Sequence, residues 1–249
     1  MDKGDIIIHS GISELQITGT TALITIENGK KNLITEPEFI ETDLLRDILE
    51  NNQQVTSLVI TGAGRHFSHG ADVSLFGPEN NINQTDNKLE KAKKLLRYIE
   101  ELPIVTAAAI NGGCFGGGLE IAMSCQFRIC SKGAVFGLPE VMHGVIPGMC
   151  GIERLTKLVG KSKAVSMVLS GEMISSSEAK DIGLVNSVSE DKNCLEDTIK
   201  YVSELTKGKT VMQIRSIISI INLAAGISIN ASEGAFGRHL KTLAEEKNH

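Results

Sequence analysis

The chain has 249 residues, of which 41% are hydrophobic and 22% charged, so it is long enough for one globular domain with a sizeable core. Its aromatic content of 4%, without any tryptophan, disfavours proteins that bind sugars or single-stranded nucleic acid by stacking. The net charge of −5 and the lack of a basic stripe likewise predict no nucleic-acid partner.

The cysteine pattern favours a reducing compartment. The five cysteines are odd in number and include no Cys-x-x-Cys pair, which is typical neither of a disulfide framework nor of a zinc site. We therefore expect a cytoplasmic protein. The first residues contain no long apolar run, and the most apolar stretch, residues 102–127, is interrupted by Pro103, Asn111 and several glycines. This pattern predicts neither a secretory signal nor a membrane span.

The first 190 residues alternate predicted strands with predicted helices, which indicates an α/β fold with largely parallel sheets. Thr35 is the predicted N-cap of the first helix, with Pro37 in its first turn. The predicted elements are, in chain order, a hairpin at 14–18 and 22–27, a helix at 36–50, a strand at 56–61, a glycine-rich loop at 62–72, a polar loop at 77–87, a helix at 88–101, a strand at 104–110, a glycine loop running into a helix at 111–123, and short strands at 127–131 and 134–136.

The character of the sequence changes near residue 190. Helices are predicted at 194–206, 210–225 and 231–246, so we divide the chain into an α/β core (1–190) and a helical C-terminal region (191–249). The C-terminal region has more apolar residues than one helix face needs, and this excess predicts that it mediates oligomerisation. The residues concerned are Ile214, Ile217, Ile218, Ile220, Ile221 and Leu223.

Two glutamates stand alone in apolar, glycine-rich sequence. Glu120 is the only charged residue between Glu101 and Arg128, and Glu140 is the only one between Lys132 and Glu153. Burial of a carboxylate is costly, and it raises the pKa towards the range useful for proton transfer. Two such carboxylates at one site predict a general acid–base pair. Taken singly, each has an equally good alternative role, in which it caps a helix or accepts hydrogen bonds from backbone amides.

Two glycine loops provide candidate oxyanion donors. Gly116-Gly117-Gly118 opens the helix that carries Glu120, and amide groups at a helix start lack intrahelical partners. The loop at 62–72 offers further amide groups near Gly70 and Ala71. Neither loop has the glycine pattern of a Rossmann fold or a P-loop, and no G-x-S-x-G motif supports a serine hydrolase.

The other reactive side chains have simpler interpretations. His66 and His69 share a loop, but no third ligand stands at a suitable spacing, so we predict no metal site. His143 is expected to pack or to form a hydrogen bond. Cys114 is expected to be a buried, inert thiol.

Five sequence blocks, spread over nearly the whole chain, resemble those of the enoyl-CoA hydratases of the crotonase superfamily. Any one block is weak, but together they are specific. They are Asn32-Leu33-Ile34; Phe67-Ser68-His69-Gly70-Ala71-Asp72; Ile110-Asn111-Gly112 with Gly116-Gly117-Gly118-Leu119-Glu120; Phe136-Gly137-Leu138-Pro139-Glu140 with Ile146-Pro147-Gly148 and Arg154-Leu155; and Ser170-Gly171 through Ala179-Lys180 to Gly183-Leu184-Val185.

The resemblance implies a spiral of ββα units with a helical C-terminal region, assembled as a homotrimer or homohexamer. It implies a lyase that adds water across, or removes it from, the α,β double bond of an acyl thioester. Glu120 would be the base towards water, and Glu140 would be the acid that protonates the α-carbon. The backbone amides of Ala71 and Gly117 would form the oxyanion hole.

The resemblance also implies that coenzyme A is part of the substrate and that no other cofactor or metal is needed. The residues implied in contact with the substrate or its CoA moiety are Leu33, Ser68, His69, Gly70, Asp72 and Gly116. His69 and Met149-Cys150 replace small residues of the family, and both changes are expected to reshape the acyl pocket.

Several alternatives remain open at this point. Other reactions of the same superfamily use the same oxyanion hole, including double-bond isomerisation, hydration of a dienoyl-CoA and reactions of an acyl group on a carrier protein. A different class of function is non-catalytic binding of RNA or of a protein partner. The acidic balance and the presence of both glutamates favour chemistry over binding.

Overall fold

The computed structural model describes residues 6–71, 82–190 and 194–226, without the side chains of residues 82–86. These residues form a seven-stranded sheet of order β1-β2-β3-β4-β5-β7-β10 and a three-stranded sheet of order β6-β8-β9. The strands are β1 (Ile6–Ser10), β2 (Ser13–Thr18), β3 (Thr21–Ile26), β4 (Ser57–Gly62), β5 (Val105–Ile110), β6 (Gly113–Phe115), β7 (Phe127–Ser131), β8 (Val135–Gly137), β9 (Ile174–Ser175) and β10 (Ser187–Ser189).

Helices connect and cover these strands. They are α1 (Thr42–Asn51), α2 (Ile82–Glu101), α3 (Gly117–Ser124), a 3₁₀ helix (Pro139–His143), α4 (Gly151–Val159), α5 (Lys161–Ser170), α6 (Ser176–Asp181), α7 (Leu195–Thr206) and α8 (Val211–Gly226). The strands β1 to β3 pair antiparallel, whereas β3, β4, β5, β7 and β10 pair parallel. The predicted α/β class with largely parallel pairing is therefore confirmed.

The central strands are buried on both faces. Successive side chains of a strand point to opposite sides of the sheet, so one strand contributes to two apolar clusters. Leu58 and Ile60 of β4 belong to the larger apolar cluster, under α1 to α6. Val59, between them, belongs to a second cluster with Val202 of α7 and Ile214 of α8. The part of the C-terminal region that the structure describes thus packs on the back of the main sheet. The division at residue 190 stays a prediction.

Most predicted elements are found within one or two residues of their predicted positions. The hairpin is β2–β3, and the strands predicted at 56–61, 104–110, 127–131 and 134–136 are β4, β5, β7 and β8. The helices predicted at 194–206 and 210–225 are α7 and α8, and the helix predicted at 231–246 lies outside the described residues. The strand β1 was not predicted, although its sequence Ile-Ile-Ile-His-Ser suits an edge strand.

The predicted start of the first helix is wrong. α1 begins at Thr42, and the segment before it is irregular because it buries Phe39 and Ile40 completely in the core. The carboxylate of Glu38 accepts hydrogen bonds from the amide and the hydroxyl of Thr42, so it satisfies the first turn. The hydroxyl of Thr35, the predicted cap, instead accepts a bond from Asn28.

The start of α2 also differs from the prediction. The helix begins at Ile82, inside the segment predicted as a polar loop, while residues 77–81 of that loop lie outside the described part. The sequence that follows Ile82 is polar and lacks an apolar period, so the pattern gave no sign of a helix there. None of the helices in the described ranges is long and apolar enough to cross a membrane.

Gly62, the last residue of β4, fixes where the following loop can lie. A Cβ atom at this position would stand 2.1 Å from the carbonyl oxygen of Phe67 and 2.3 Å from that of His66. The loop can therefore fold back over the end of the strand only if residue 62 has no side chain. From this contact the loop continues to residues 68–71.

We predict that Gly62→Ala destabilises the protein by about 1–3 kcal/mol or more, because the new methyl group overlaps backbone atoms that cannot move independently. Gly133→Ala is the matched control, since nothing lies within 4 Å of its added Cβ; it should change the free energy of unfolding by less than about 0.5 kcal/mol. Urea denaturation measures both values. Equal stabilities of the two variants would contradict the proposed close contact.

Candidate active site

Glu120 lies in the first turn of α3, a helix buried along its whole length. The glycines before it allow this close packing, because a Cβ atom on Gly118 would stand 2.7 Å from both the Cβ atom and the carbonyl oxygen of Ser68. The side chain of Glu120 is only 2% exposed. The glycine loop thus places a carboxylate in the interior.

Two backbone amides hold this carboxylate. Its Oε1 atom accepts hydrogen bonds from the amide of Met149 at 2.7 Å and from that of Gly151 at 2.8 Å. A Cβ atom on Gly151 would stand 2.7 Å from the same oxygen, so only glycine permits the approach. The structure therefore realises one of the alternative roles considered for a lone glutamate, acceptance of backbone bonds, while the residue remains free to act through its second oxygen.

Opposing influences set the pKa of Glu120. Burial raises the pKa above the ordinary value, whereas the two amide hydrogen bonds and the positive charge of Arg154 lower it. Glu153 raises it slightly further. The net effect is a raised pKa, and the amides and Arg154 oppose the larger effect of burial.

Glu140 lies in the 3₁₀ helix that follows β8. Its Oε2 atom is buried and has no hydrogen-bond partner among the described residues. Burial raises the pKa of Glu140 to about 7, and the negative charge of Glu120 adds to this rise. Glu140 is thus the carboxyl group of the pair that can hold a proton near neutral pH.

Gly116 lies against the carboxyl group of Glu140, immediately before the helix that carries Glu120. A Cβ atom on Gly116 would stand 2.9 Å from Oε1 of Glu140, and the next residue begins the helix of Glu120. The amide of Gly116 also donates to the carbonyl of Gly137, which joins the end of β6 to the end of β8. The structure thus brings both predicted catalytic residues to the start of α3.

The two predicted oxyanion donors are also close together. A Cβ atom on Gly117 would stand 3.8 Å from the amide nitrogen of Ala71, and one on Gly70 would stand 3.1 Å from the amide nitrogen of Gly117. As the first residue of α3, Gly117 has an amide without an intrahelical acceptor. The arrangement places two backbone amides beside the start of α3, the helix that carries Glu120.

Hydrogen bonds hold the loop that carries Ala71. Ile34 donates its amide to the carbonyl of Gly70 at 2.9 Å, and Ile34 forms a bridge with Ala71. The hydroxyl of Ser68 donates to the carbonyl of Asn32 at 2.7 Å and accepts from the amide of Gly70 at 3.0 Å. The position of Ala71 therefore depends on the segment 32–34 as well as on its own loop.

The residues expected to contact the substrate have different surroundings. Ser68, Gly70 and Gly116 are buried, Leu33 and His69 are partly exposed, and Asp72 lies outside the described residues. The hydroxyl of Ser68 forms the two backbone bonds above, and its amide and carbonyl bond to Gly113 and Phe115. The roles of all six residues stay predictions.

The rings of the two loop histidines pack edge to face. Nδ1 of His66 accepts a bond from the amide of Gly113, and the ring centroids of His66 and His69 lie 4.4 Å apart. Burial lowers the pKa of both rings, so both favour the neutral form. Burial raises the pKa of the Cys114 thiol, as expected for an inert cysteine. His143 is exposed, so the expectation that it packs is wrong.

Sequence reasoning missed an ion pair behind Glu120. Arg154, in α4, donates from Nε and Nη2 to both carboxylate oxygens of Glu100, at 2.9 and 2.8 Å, and from Nη1 to the carbonyl of Met149. Arg154 was noted only as part of a sequence block. Glu100 stands in a charged helix end, where nothing in the sequence distinguishes it from its neighbours.

Comparisons with known proteins agree with this geometry. The family Enoyl-CoA hydratase/isomerase matches residues 16–225. The chain is 33% identical over 231 residues to a protein of Bacillus subtilis named "Probable enoyl-CoA hydratase", covering 93% of this chain and 88% of the relative. It is 35% identical over 199 residues to a short-chain-enoyl-CoA hydratase of Clostridium acetobutylicum, covering 79% of this chain and 76% of the relative.

A solved structure supports the fold. The crystal structure of an enoyl-CoA hydratase from Geobacillus kaustophilus superposes with a TM-score of 0.86 at 24% identity, covering 96% of this chain and 90% of that one. The predicted crotonase-like fold and hydratase-type enzyme class are thereby confirmed. The chain belongs to the enoyl-CoA hydratase/isomerase family of the crotonase superfamily.

Proposed function

We propose that the chain hydrates, and in reverse dehydrates, the α,β double bond of an acyl-CoA thioester, with Glu120 and Glu140 as the acid–base pair. One observation carries the proposal. The buried carboxyl group of Glu120 and the partly buried one of Glu140 both lie near the start of α3, and their environments differ: two amides and an arginine favour the ionised form of Glu120 against the effect of burial, whereas Glu140 has an oxygen without a hydrogen-bond partner among the described residues and a pKa raised to about 7. Such a difference assigns a base and an acid.

The reaction follows from these assignments. Ionised Glu120 takes a proton from a water molecule, whose oxygen forms a bond with the β-carbon of the enoyl thioester. The electrons of the double bond move towards the thioester oxygen, where the amides of Ala71 and Gly117 stabilise the developing charge. Protonated Glu140 then gives its proton to the α-carbon. A proton must return from Glu120 to Glu140, directly or through solvent, before the next turnover.

The charges around the loop suit a phosphate-bearing substrate. Lys31 and Arg65 are exposed, and both are close enough to His66 to lower its pKa. The amide of His69 donates to the carbonyl of Lys31, which brings this basic residue next to the oxyanion loop. A carrier-protein acyl group also has a phosphate, on its phosphopantetheine arm, so these charges suit both substrates. We favour coenzyme A because both relatives are named as enoyl-CoA hydratases, and we include no resident cofactor or metal in the mechanism.

The pair of carboxyl groups also separates hydration from the competing reactions. Transfer of a proton from one carbon to another can be done by a single carboxylate, whereas hydration needs one group for the water and one for the α-carbon. RNA binding would require a basic surface, and the chain carries a net charge of −5. Hydration of a simple enoyl-CoA is therefore the first reaction to test.

We predict that Glu120→Gln and Glu140→Gln each fold normally and lose at least about 100-fold in kcat, the scale of general acid–base catalysis. The assay follows the loss of the conjugated thioester absorbance with short and medium enoyl-CoAs, in the presence of a chelator. Glu153→Gln is the matched control, because this glutamate is exposed and acts on Glu120 through its charge. It should keep near wild-type activity.

Near-normal turnover in either of the first two variants would remove that residue from the mechanism. A wild-type protein that is inactive on every enoyl-CoA, but converts an isomerase substrate or binds RNA, would contradict the proposed reaction itself.

We also propose a homotrimer or homohexamer, built through the C-terminal region. Ile214 and Ile218 of α8 are buried against the main sheet, so they account for only part of the apolar excess. Ile217 and Ile221, on the same helix, are 51% and 58% exposed. Exposed aliphatic side chains at this spacing form a stripe along one side of the helix, which is typical of a contact surface.

We predict that the wild-type protein sediments as a trimer or hexamer at micromolar concentration, and that Ile217→Glu with Ile221→Glu lowers the oligomeric state. Ile7→Glu, on the exposed face of β1, is the control and should leave the assembly unchanged. A wild-type monomer would contradict the proposal.

We further propose a cytoplasmic location. All five cysteines are unpaired, which suits a reducing compartment. Burial raises the pKa of Cys125, Cys130 and Cys194 to about 12, so these thiols are protected from reaction. Fractionation of the source cells tests the location, and recovery outside the cytoplasmic fraction would contradict it.

A further inference from the structure

The turn Met149–Cys150–Gly151 is the structural element that holds Glu120, and its backbone is unusual. Cys150 has φ of +65°, a left-handed conformation that is rare for residues other than glycine. This conformation is what points the amides of Met149 and Gly151 at the same carboxylate oxygen. A strained turn persists only where neighbouring contacts determine it.

Arg154 supplies such a contact. Its side chain is 8% exposed, and Nη1 donates to the carbonyl of Met149, the residue whose amide binds Glu120. The remaining guanidinium edge is held by both oxygens of Glu100, at the end of α2. Bidentate hydrogen bonding of this kind fixes the orientation of the guanidinium group, which a single point charge would not do.

We propose that Arg154 is a positioning residue for hydration: together with Glu100 it holds the Met149–Gly151 turn, so that one oxygen of Glu120 is fixed by backbone amides and the other can face the attacking water. This inference rests on the proposed function. Arg154 contacts neither the water nor the substrate in this arrangement. Its effect on the reaction passes through the turn and through its charge.

The charge of Arg154 has a separate, measurable consequence. The charged groups that face Glu120 are Arg154 and Glu153 from α4 and Glu140 from the 3₁₀ helix, while Glu100 of α2 faces Arg154. Arg154 is the only cation among these groups, and it lowers the pKa of Glu120. Without it, burial and the charge of Glu153 would keep more of Glu120 protonated, and a protonated Glu120 cannot accept a proton from water.

The test compares kcat and KM as functions of pH in three variants. Arg154→Met loses both the bond to Met149 and the charge, so kcat should fall about 10- to 100-fold, the usual effect of losing a residue that orients a reacting group. KM should change little, and the acid limb of the kcat profile should move to higher pH, because the pKa of Glu120 rises when the cation is removed.

Arg154→Lys retains the charge but loses the bidentate hydrogen bonding. Its kcat should therefore also fall, while the acid limb of its kcat profile stays closer to the wild-type position. Glu100→Gln retains Arg154 but loosens its anchor, and it should lower kcat without moving the acid limb to higher pH. Lys163→Met is the control, since it breaks ion pairs with Glu172 and Glu178 on the surface near α5 and should change neither quantity.

The proposal would be overturned if Arg154→Met and Glu100→Gln both folded and kept the wild-type kcat and an unmoved acid limb. That result would indicate a purely structural ion pair, which affects only the stability. A wild-type protein without hydratase activity would instead contradict the proposed function. In that case crystal structures still decide the inference. Displacement of the Met149–Gly151 turn in Arg154→Met would support it, and an unchanged turn would overturn it. If Arg154→Met does not fold, the same comparisons are made with Arg154→Lys and Glu100→Gln.

Discussion

A carboxylate that is to stay ionised inside a protein must be surrounded by donors that replace its lost hydration, and Glu120 obtains them from the backbone. The amides of Met149 and Gly151 both bind one of its oxygens, and Arg154 lies behind them. Backbone amides cannot rotate away as side-chain donors can, so the carboxylate keeps one orientation. The proposed mechanism depends on that orientation, because it leaves the second oxygen for the attacking water.

This constraint explains why glycine, which has no Cβ atom, is needed at several positions around the site. Gly118 allows α3 to contact Ser68, Gly151 allows the turn to approach Glu120, and Gly116 leaves room for the carboxyl group of Glu140. At each of these positions a Cβ atom would stand less than 3 Å from another atom. The site is assembled where the backbone lies closer to a carboxyl group or to Ser68 than a side chain would permit, and such approaches bring amide donors within reach of charge.

The sequence allowed much of this to be predicted, because the relevant signals are local. Glu120 and Glu140 stand out since they are the only charges in long apolar stretches, and Gly117 stands out because it opens a helix. The central strands are apolar runs that read as buried strands. The start of α1 was not predictable in the same way, because tertiary burial of Phe39 and Ile40 decides it and the cap comes from the side chain of Glu38.

The support for Glu120 was also hidden from the sequence, for a different reason. Glu100 and Arg154 are far apart in the chain and each looks like an ordinary surface charge, so only the packing of α2 against the start of α4 reveals them as a pair. The left-handed conformation of Cys150 has no sequence signal, since cysteine does not favour it. Interactions between distant segments therefore account for what the residue pattern could not provide.

The central claim is that Glu120 is ionised while Glu140 holds a proton near neutral pH. Infrared difference spectroscopy can test it directly, because a protonated buried carboxyl group has a separate C=O stretch. The account predicts one such band in the wild type that disappears as pH rises through about 7, that is absent in Glu140→Gln and that persists in Glu120→Gln. A band that is lost in Glu120→Gln instead, or the absence of any protonated carboxyl band below neutral pH, would contradict the account.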